Sequence, residues 1–509
     1  MNERRVLEAG AQADTPAVVQ LNAWLRNWAR RLDFRLVDER RCLPPHWVLA
    51  LGNKGLLGMQ VAERDGGLLG LSNFELLRVQ RQLGAIDLTL AFFVGLNNGL
   101  GIRPIQRFGS PAIKERYLPQ LASGRILAAF ALTEHGAGSN PLGLSATARR
   151  EREGFRVDGS KSWSGSAAWA GVISVFTRHL DEQGRECGFV GLCLDAEQPG
   201  MRQGSEALTL GLKGMVQNQL HFDAALVGPD RVLGSPFAGM AVASDTMAYG
   251  RLGIAATCVG GLWRCLQLMM RYSTRRSLGS HRLWDHQHTQ RVVDDALCAA
   301  TAIGGWVDDL ALRLDQGLPE APPQVLAAVK WMASEMLGEV SDAALQMLGA
   351  RGYCDNNPIS QLWRDARITR LFEGPSETLA TFIGQRVQEQ PVATLDYLEQ
   401  TTPGKIAAQR LRQWLVDAGP MERLSAGTLR LGECVAWLML YAQPLDESSR
   451  RWVDFRLEQA LHTWERVRSP LRAMPGLAEW INANAGLCDE PQPGEDSTID
   501  PLLMSREGL

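Results

Sequence analysis

The hydrophobic pattern changes period twice along the chain, and few architectures allow that. Val18, Leu21, Trp24, Leu25 and Trp28 recur at helical spacing. Helix-like segments continue to about residue 128, punctuated by Pro44-Pro45, Gly66-Gly67, Gly70, Pro104 and Pro111. From about 129 to 240, short strand-like runs take over. Residues 155–159 alternate into an Asp-Gly turn signal, and 171–177, 188–194 and 219–222 are further candidates. Long helical periodicity returns over 241–271, 290–314 and 324–349, with a final helix expected around 373–387. The pattern predicts an α+β chain: a helical domain (1–128), a β domain (129–240) and a second helical domain (241–390). A helical extension (391–487) follows, with Leu411, Trp414, Leu415, Leu431, Val435, Leu438 and Met439 at helical spacings. Acidic residues with Pro491 and Pro493 predict a disordered tail over 488–509.

A formal charge of −3 gives no global attraction to nucleic acid or to acidic membranes. The nine cysteines include no Cys-x-x-Cys pair, which fits a reducing compartment and no zinc site. Cys258 and Cys265, seven apart, read as core. Residues 1–15 are polar, with Glu3, Glu8 and Asp14, unlike a signal or transit peptide. No window reaches roughly 18 consecutive apolar residues. The expectation is a soluble cytoplasmic protein without a transmembrane segment, bound metal or nucleic-acid partner. No Gly-x-Gly pattern sits in a βαβ unit, so a dinucleotide fingerprint of that type is absent.

Chemistry concentrates in four segments: Phe130-Ala131-Leu132-Thr133-Glu134-His135-Gly136-Ala137-Gly138-Ser139-Asn140, Gly159-Ser160-Lys161-Ser162-Trp163, Arg364-Asp365-Ala366-Arg367-Ile368 and Leu371-Phe372-Glu373-Gly374-Pro375-Ser376-Glu377. Glycines in the first let backbone approach a flat ring or a pyrophosphate, although a turn between domains needs them too. A carboxylate such as Glu373 becomes a proton acceptor once burial raises its pKa, although a helix start also favours Glu. Trp163 alone reads equally as a core aromatic in a strand.

In this order, over roughly residues 45 to 388, the segments resemble the acyl-CoA dehydrogenase family. The resemblance implies an N-terminal helical domain, a small central β-barrel and a C-terminal four-helix bundle. It implies FAD, and α,β-dehydrogenation of an acyl thioester, on CoA or an acyl carrier protein, to the trans-2-enoyl thioester. An electron-transfer flavoprotein would accept the electrons. Glu373 falls at the family's catalytic base. The second base position, before Arg251, is Gly250 and so empty. Arg251, Ser139 and Gly374 fall at substrate positions, with Ala248 where an Asp is usual. The backbone N–H of Glu373 would polarise the thioester carbonyl.

Phe130, Leu132, Thr133, Gly138 and Ser139 fall along the cofactor loop, and Trp163 at a residue that packs on the flavin. Ser164 and Gly165 follow it, Gly165 replacing a Thr or Ser. Pro375, in place of Thr, and Glu377 also map to the cofactor. Arg275, His286, Gln287, Gln346, Gly349 and Ala350 map to contacts with the far end of a neighbouring subunit's FAD, so a homodimer or homotetramer is implied. Rival readings are an oxidase using oxygen on the same fold, and a non-catalytic flavoprotein with a binding role in its extension.

Overall fold

The computed structural model describes residues 13–418, 421–423, 425–467, 476, 480–481 and 483. The predicted disordered tail from 488 lies outside these. The N-terminal region holds α1 (Pro16–Ala29), α2 (Phe34–Arg40), α3 (Pro45–Asn53), α4 (Asn73–Ile86), α5 (Leu88–Leu96), α6 (Arg103–Phe108) and α7 (Pro111–Ala122). Local chemistry sets the starts. Thr15 caps α1 ahead of Pro16, and Ser72 and Glu75 form a reciprocal capping box on α4. Between α5 and α6, residues Asn97–Ile102 form a π-helical turn. Asn97 and Asn98 are buried there and bond the Leu57 and Leu56 carbonyls.

Seven strands follow: β1 (Leu127–Ala131), β2 (Thr147–Glu151), β3 (Gly154–Gly165), β4 (Ala170–Leu180), β5 (Glu186–Asp195), β6 (Met201–Glu206) and β7 (Gln217–Val227). Their order is β1-β4-β2-β3-β7-β6, with β5 on β4. The central domain is therefore a sheet, as expected, but not the closed barrel. Strand β6, Met-Arg-Gln-Gly-Ser-Glu, is half to fully exposed along its length and pairs only with β7. Closing a ring requires the free edge of β6 to hydrogen-bond another strand, and it pairs with none besides β7.

The second helical region contains α8 (Gly239–Ser273), the short β8 (Ser277–Leu278) and β9 (His281–Arg282), α9 (Gln287–Asp315), α10 (Pro323–Leu348), α11 (Pro358–Arg367) and α12 (Ser376–Glu389). Among the described residues α8 alone is long and apolar enough to cross a membrane, yet most of that stretch is buried inside the protein. It packs on α4, α9 and α10. Cys258 and Cys265 are buried on it, as expected of core thiols, and burial pushes both up to about 12.

The extension folds as α13 (Pro391–Leu398), α14 (Thr402–Ala418), α15 (Ala426–Tyr441) and α16 (Glu447–Val467). It is built onto the bundle. Trp306 Nε1 donates to Tyr397 Oη at 2.8 Å and Gln324 Nε2 to Thr394 Oγ1 at 3.0 Å. Arg456 bonds both oxygens of Glu339. Helix α15 lies on α12 at glycine contacts: a Cβ on Gly432 would come within 1.8 Å of the Ala380 carbonyl oxygen.

Candidate active site

Glu373 is not in the helix that the sequence suggested. Helix α12 starts at Ser376, and Glu373 precedes it with φ +52°, followed by Gly374 at +102°. A non-glycine residue held in the left-handed region is strained, and the surroundings must fix it. They do so from two helices. Arg251 Nε on α8 donates to the Glu373 carbonyl at 3.2 Å, and Lys330 Nζ on α10 donates to the Gly374 carbonyl at 2.8 Å. Glu335, also on α10, accepts from Arg370 Nε at 2.7 Å and from Ser376 Oγ. Oε2 of the Glu373 carboxyl is buried without a hydrogen-bond partner. Burial raises the Glu373 pKa, opposed by the charges of Arg251 and Lys330. Burial also lowers Arg251, and takes the fully buried Lys330 down to about 8. Sequence reasoning missed Lys330; its one signal was a lone cation inside the apolar run 325–333.

An apolar cavity opens between α4, α5 and α8, one residue from Arg251 at Gly250. Its wall includes Leu76, Gln80, Phe92, Gly250 and Gly253. Phe92 packs edge-on against Phe372, ring centroids 5.1 Å apart, and so joins the cavity to the base segment. Gly250 is on this wall; a Cβ there would sit 3.0 Å from Leu100 Cδ2.

The two glycine-bearing motifs meet through a buried ion pair. Lys161 Nζ, from the Gly-x-Lys-x-Trp segment of β3, lies 2.6 Å from Glu134 Oε1 and donates to the Leu132 carbonyl at 3.1 Å. Glu134 also accepts from Ser145 N and Oγ, both at 2.6 Å, and from Ala146 N at 3.0 Å. Burial works against both charges. It brings Lys161 down to about 8, whereas in Glu134 the bonds from Lys161 and Ser145 outweigh it and hold the carboxyl below the usual range. The Ser162 N–H donates to the Thr133 carbonyl at 2.8 Å, so the loop hangs on β3. Neither Glu134 nor Lys161 was assigned a role from sequence, although both stand inside the quoted motifs.

Trp163 is not a core aromatic. It has φ +58° and is 51% exposed. Ser164 Oγ, the next residue along β3, is buried and unpartnered. A Cβ on Gly136 or Gly138 would meet nothing within 4 Å, so that stretch of backbone is open to an incoming group. Gly138 and Ser139 are exposed, Thr133 is half-buried, Leu132 is buried, and Phe130 packs on Phe176 at 4.9 Å. An exposed indole, open glycine backbone and an orphaned hydroxyl fit a flat, polar-edged ring system such as FAD.

The structure does not bring six of the remaining predicted cofactor residues to Glu373. Arg275, His286, Gln287, Gln346, Gly349 and Ala350 are exposed at the C-terminal ends of α8 and α10 and the start of α9. These ends adjoin: Arg351 Nη1 lies 3.5 Å from Tyr272 Oη. At 1.5 Å per residue, Arg275 is roughly 36 Å along the helix direction from Arg251. Pro375 is half-buried and Glu377 exposed at the start of α12.

Asp365, of the Arg-Asp-Ala-Arg-Ile segment, is a buried tie rather than a site residue. It accepts from Leu212 N at 2.6 Å and Thr89 Oγ1 at 3.1 Å, joining α11 to the loop after β6 and to α5. Burial, with Asp87 and Asp38 nearby, pushes it up to about 8. Arg364 bonds Asp38 and Asp355 alongside.

Family models for the N-terminal, middle and C-terminal domains of acyl-CoA dehydrogenase match residues 22–125, 129–225 and 238–388. Human mitochondrial short-chain specific acyl-CoA dehydrogenase is 30% identical over 343 residues, 67% of this chain and 82% of that protein. An acyl-CoA dehydrogenase complexed with FAD from Bacillus anthracis has a similar fold, with TM-score 0.73, 21% identity, and coverage of 92% of this chain and 90% of that one. The prolyl acyl carrier protein oxidase AnaB shares the fold at TM-score 0.69 and 21% identity, covering 74% of this chain and 100% of that one.

Proposed function

Since the chain belongs to the acyl-CoA dehydrogenase family, and is thus an FAD-dependent oxidoreductase of acyl thioesters, we propose that Glu373 is the base that removes the substrate's α-proton. The observation that carries this is the unpartnered, buried Oε2 of a strained Glu, joined through Phe372 and Phe92 to an apolar cavity. Burial makes the carboxylate a stronger base, while the charges of Arg251 and Lys330 oppose that rise.

The acyl chain enters the cavity between α4, α5 and α8, with its α-carbon at Phe372-Glu373. The left-handed turn at Glu373 and Gly374 directs the Glu373 N–H to the thioester carbonyl, where charge develops as the proton leaves. Arg251 holds the same residue from its other side, at the Glu373 carbonyl. Thr133–Ser139 and Trp163 would hold FAD, which would supply a hydride acceptor for the substrate's β-carbon. The product of this reading is the trans-2-enoyl thioester, formed in the cytoplasm by a homodimer or homotetramer.

The carrier is CoA or an acyl carrier protein, and an electron-transfer flavoprotein takes the electrons. Oxygen is the alternative acceptor, favoured by one observation: Gly165 offers no hydroxyl beside Trp163. Mixing reduced enzyme with air in a stopped-flow instrument separates the two.

Glu373→Gln tests the base. The variant is expected to bind thioester yet lose flavin reduction by about 10²–10⁴-fold. Reduction at the parent rate removes Glu373 from the mechanism.

A further inference from the structure

The cavity between α4, α5 and α8 is apolar except for four side chains: Gln80, Asn98, Tyr249 and Thr257. Three of them are committed within the protein. Asn98 Nδ2 donates to the Leu56 and Val94 carbonyls, and its Oδ1 accepts from Met59 N. Tyr249 Oη donates to Gln60 Oε1 at 2.7 Å. Thr257 Oγ1 donates to the Gly253 carbonyl at 3.0 Å and accepts from Gln80 Nε2 at 2.8 Å.

Gln80 is the exception. It is 1% exposed, and its Oε1 has no partner. The orientation of the amide follows from its neighbours. Nε2 faces the Ala91 carbonyl at 2.7 Å and the Thr257 hydroxyl, whose own proton goes to Gly253. Reversing the amide would set oxygen against oxygen at Ala91. Room for the side chain comes from Gly95, where a Cβ would lie 2.6 Å from Nε2. On the cavity's other walls a Cβ at Gly99 or Gly253 would meet nothing within 4 Å. One fixed acceptor therefore remains unanswered in an otherwise apolar cavity of about 20 Å³, which an acyl chain has to widen on entry. An unpaired buried amide oxygen is costly, so a ligand that supplies a donor gains what an alkyl chain cannot.

Resting on the dehydrogenase reading above, we infer that Gln80 Oε1 is a specificity determinant selecting a short acyl thioester that carries a neutral hydrogen-bond donor, a hydroxyl or an amide-type N–H, near its distal end. An ammonium is disfavoured, because no carboxylate lines the chamber to pair with it. A β-hydroxyl would lie on the reacting carbon itself and not at the distal end of the chain. The donor belongs at the γ-carbon or beyond.

The test compares pantetheine thioesters of 5-hydroxypentanoate and hexanoate, which exchange a hydroxyl for a methyl group. Pantetheine is the segment common to CoA and carrier proteins. Anaerobic flavin bleaching gives kcat/KM, and titration of the Glu373→Gln holoenzyme gives Kd without turnover. The parent protein is expected to favour the hydroxylated chain by about tenfold or more in both readouts. Gln80→Met should remove or invert the preference. A second variant, Gly253→Ala, narrows the chamber without touching Gln80, and should weaken both thioesters while keeping their ratio above one. Equal constants for the two thioesters in the parent protein would overturn the inference and leave the dehydrogenase reading standing; an internal water then serves Oε1. If the parent binds and oxidises neither thioester nor any longer or shorter homologue, the dehydrogenase reading falls, and the inference with it.

Discussion

Lys330 places its ammonium 2.8 Å from the Gly374 carbonyl, one residue beyond Glu373, from a point on α10 with no exposure to solvent. One cation thus holds the backbone behind the base and lowers the pKa of the base itself. Lys330→Met removes both effects. The carboxyl of Glu373 then titrates at higher pH, and since the ionised form is the active one, the acidic limb of the kcat profile moves upward. A several-fold fall in kcat at neutral pH is expected, relieved as the pH is raised. A purely structural lysine would lower activity without moving the limb. Lys330→Arg, which keeps the charge, should restore the limb's position more than the rate.

The Glu134–Lys161 pair makes a different prediction. Each charge is buried and neutralised by the other. Lys161→Met leaves a carboxylate stranded, at a cost of about 3–5 kcal/mol by the usual experience with broken buried pairs. The Thr133 loop should loosen with it, so FAD retention falls along with the melting temperature. The double change Glu134→Gln with Lys161→Met should recover part of the melting temperature. Thermal melts and flavin fluorescence on the same samples check both parts.

Asp365 has a folded pKa near 8 against an ordinary 3.8, and Asp87 one near 6. A carboxyl raised on folding gives a contribution that is complete below its unfolded pKa and disappears as the pH climbs through the folded one. Stability should decline between about pH 4 and pH 8 on account of these two groups. Asp365→Asn should flatten that decline while costing little at pH 5. Melting curves at half-unit intervals measure it; an unchanged slope in Asp365→Asn would show that the buried carboxyl is ionised throughout.

Arg275 is expected to act on a neighbour's cofactor. Arg275→Glu should weaken FAD binding with little effect on the melting of the apoprotein. Size-exclusion chromatography and FAD titration at several protein concentrations test this. A monomer that holds FAD at full affinity contradicts the shared site.

The sequence made the order of helices and strands legible because period and turn residues report on local burial. β3, β4 and β7 and the three long bundle helices lie where the pattern put them. Closure of the sheet was not legible, since it depends on what β6 meets across space. The same distinction governs the site. Glu373, Trp163 and the glycines could be found by motif, yet the motif carried no sign of the left-handed backbone at Glu373 and Trp163. Lys330 and Gln80 were invisible for another reason. Each is a polar residue on a helix whose partners are 44 and 177 residues away, at Gly374 and Thr257. Only the packing of α4, α8 and α10 gives them meaning.

The glycine seam between α12 and α15 reaches further than the stability of the extension. With Gly432 seated on the Ala380 carbonyl and Gly384 on that of Thr428, backbone meets backbone and no other chain can enter. That face of α12 is therefore withdrawn from any symmetry axis. An assembly of this protein must be generated from other surfaces, and a chain shortened at residue 390 would present a new sticky flank and invite a different quaternary arrangement.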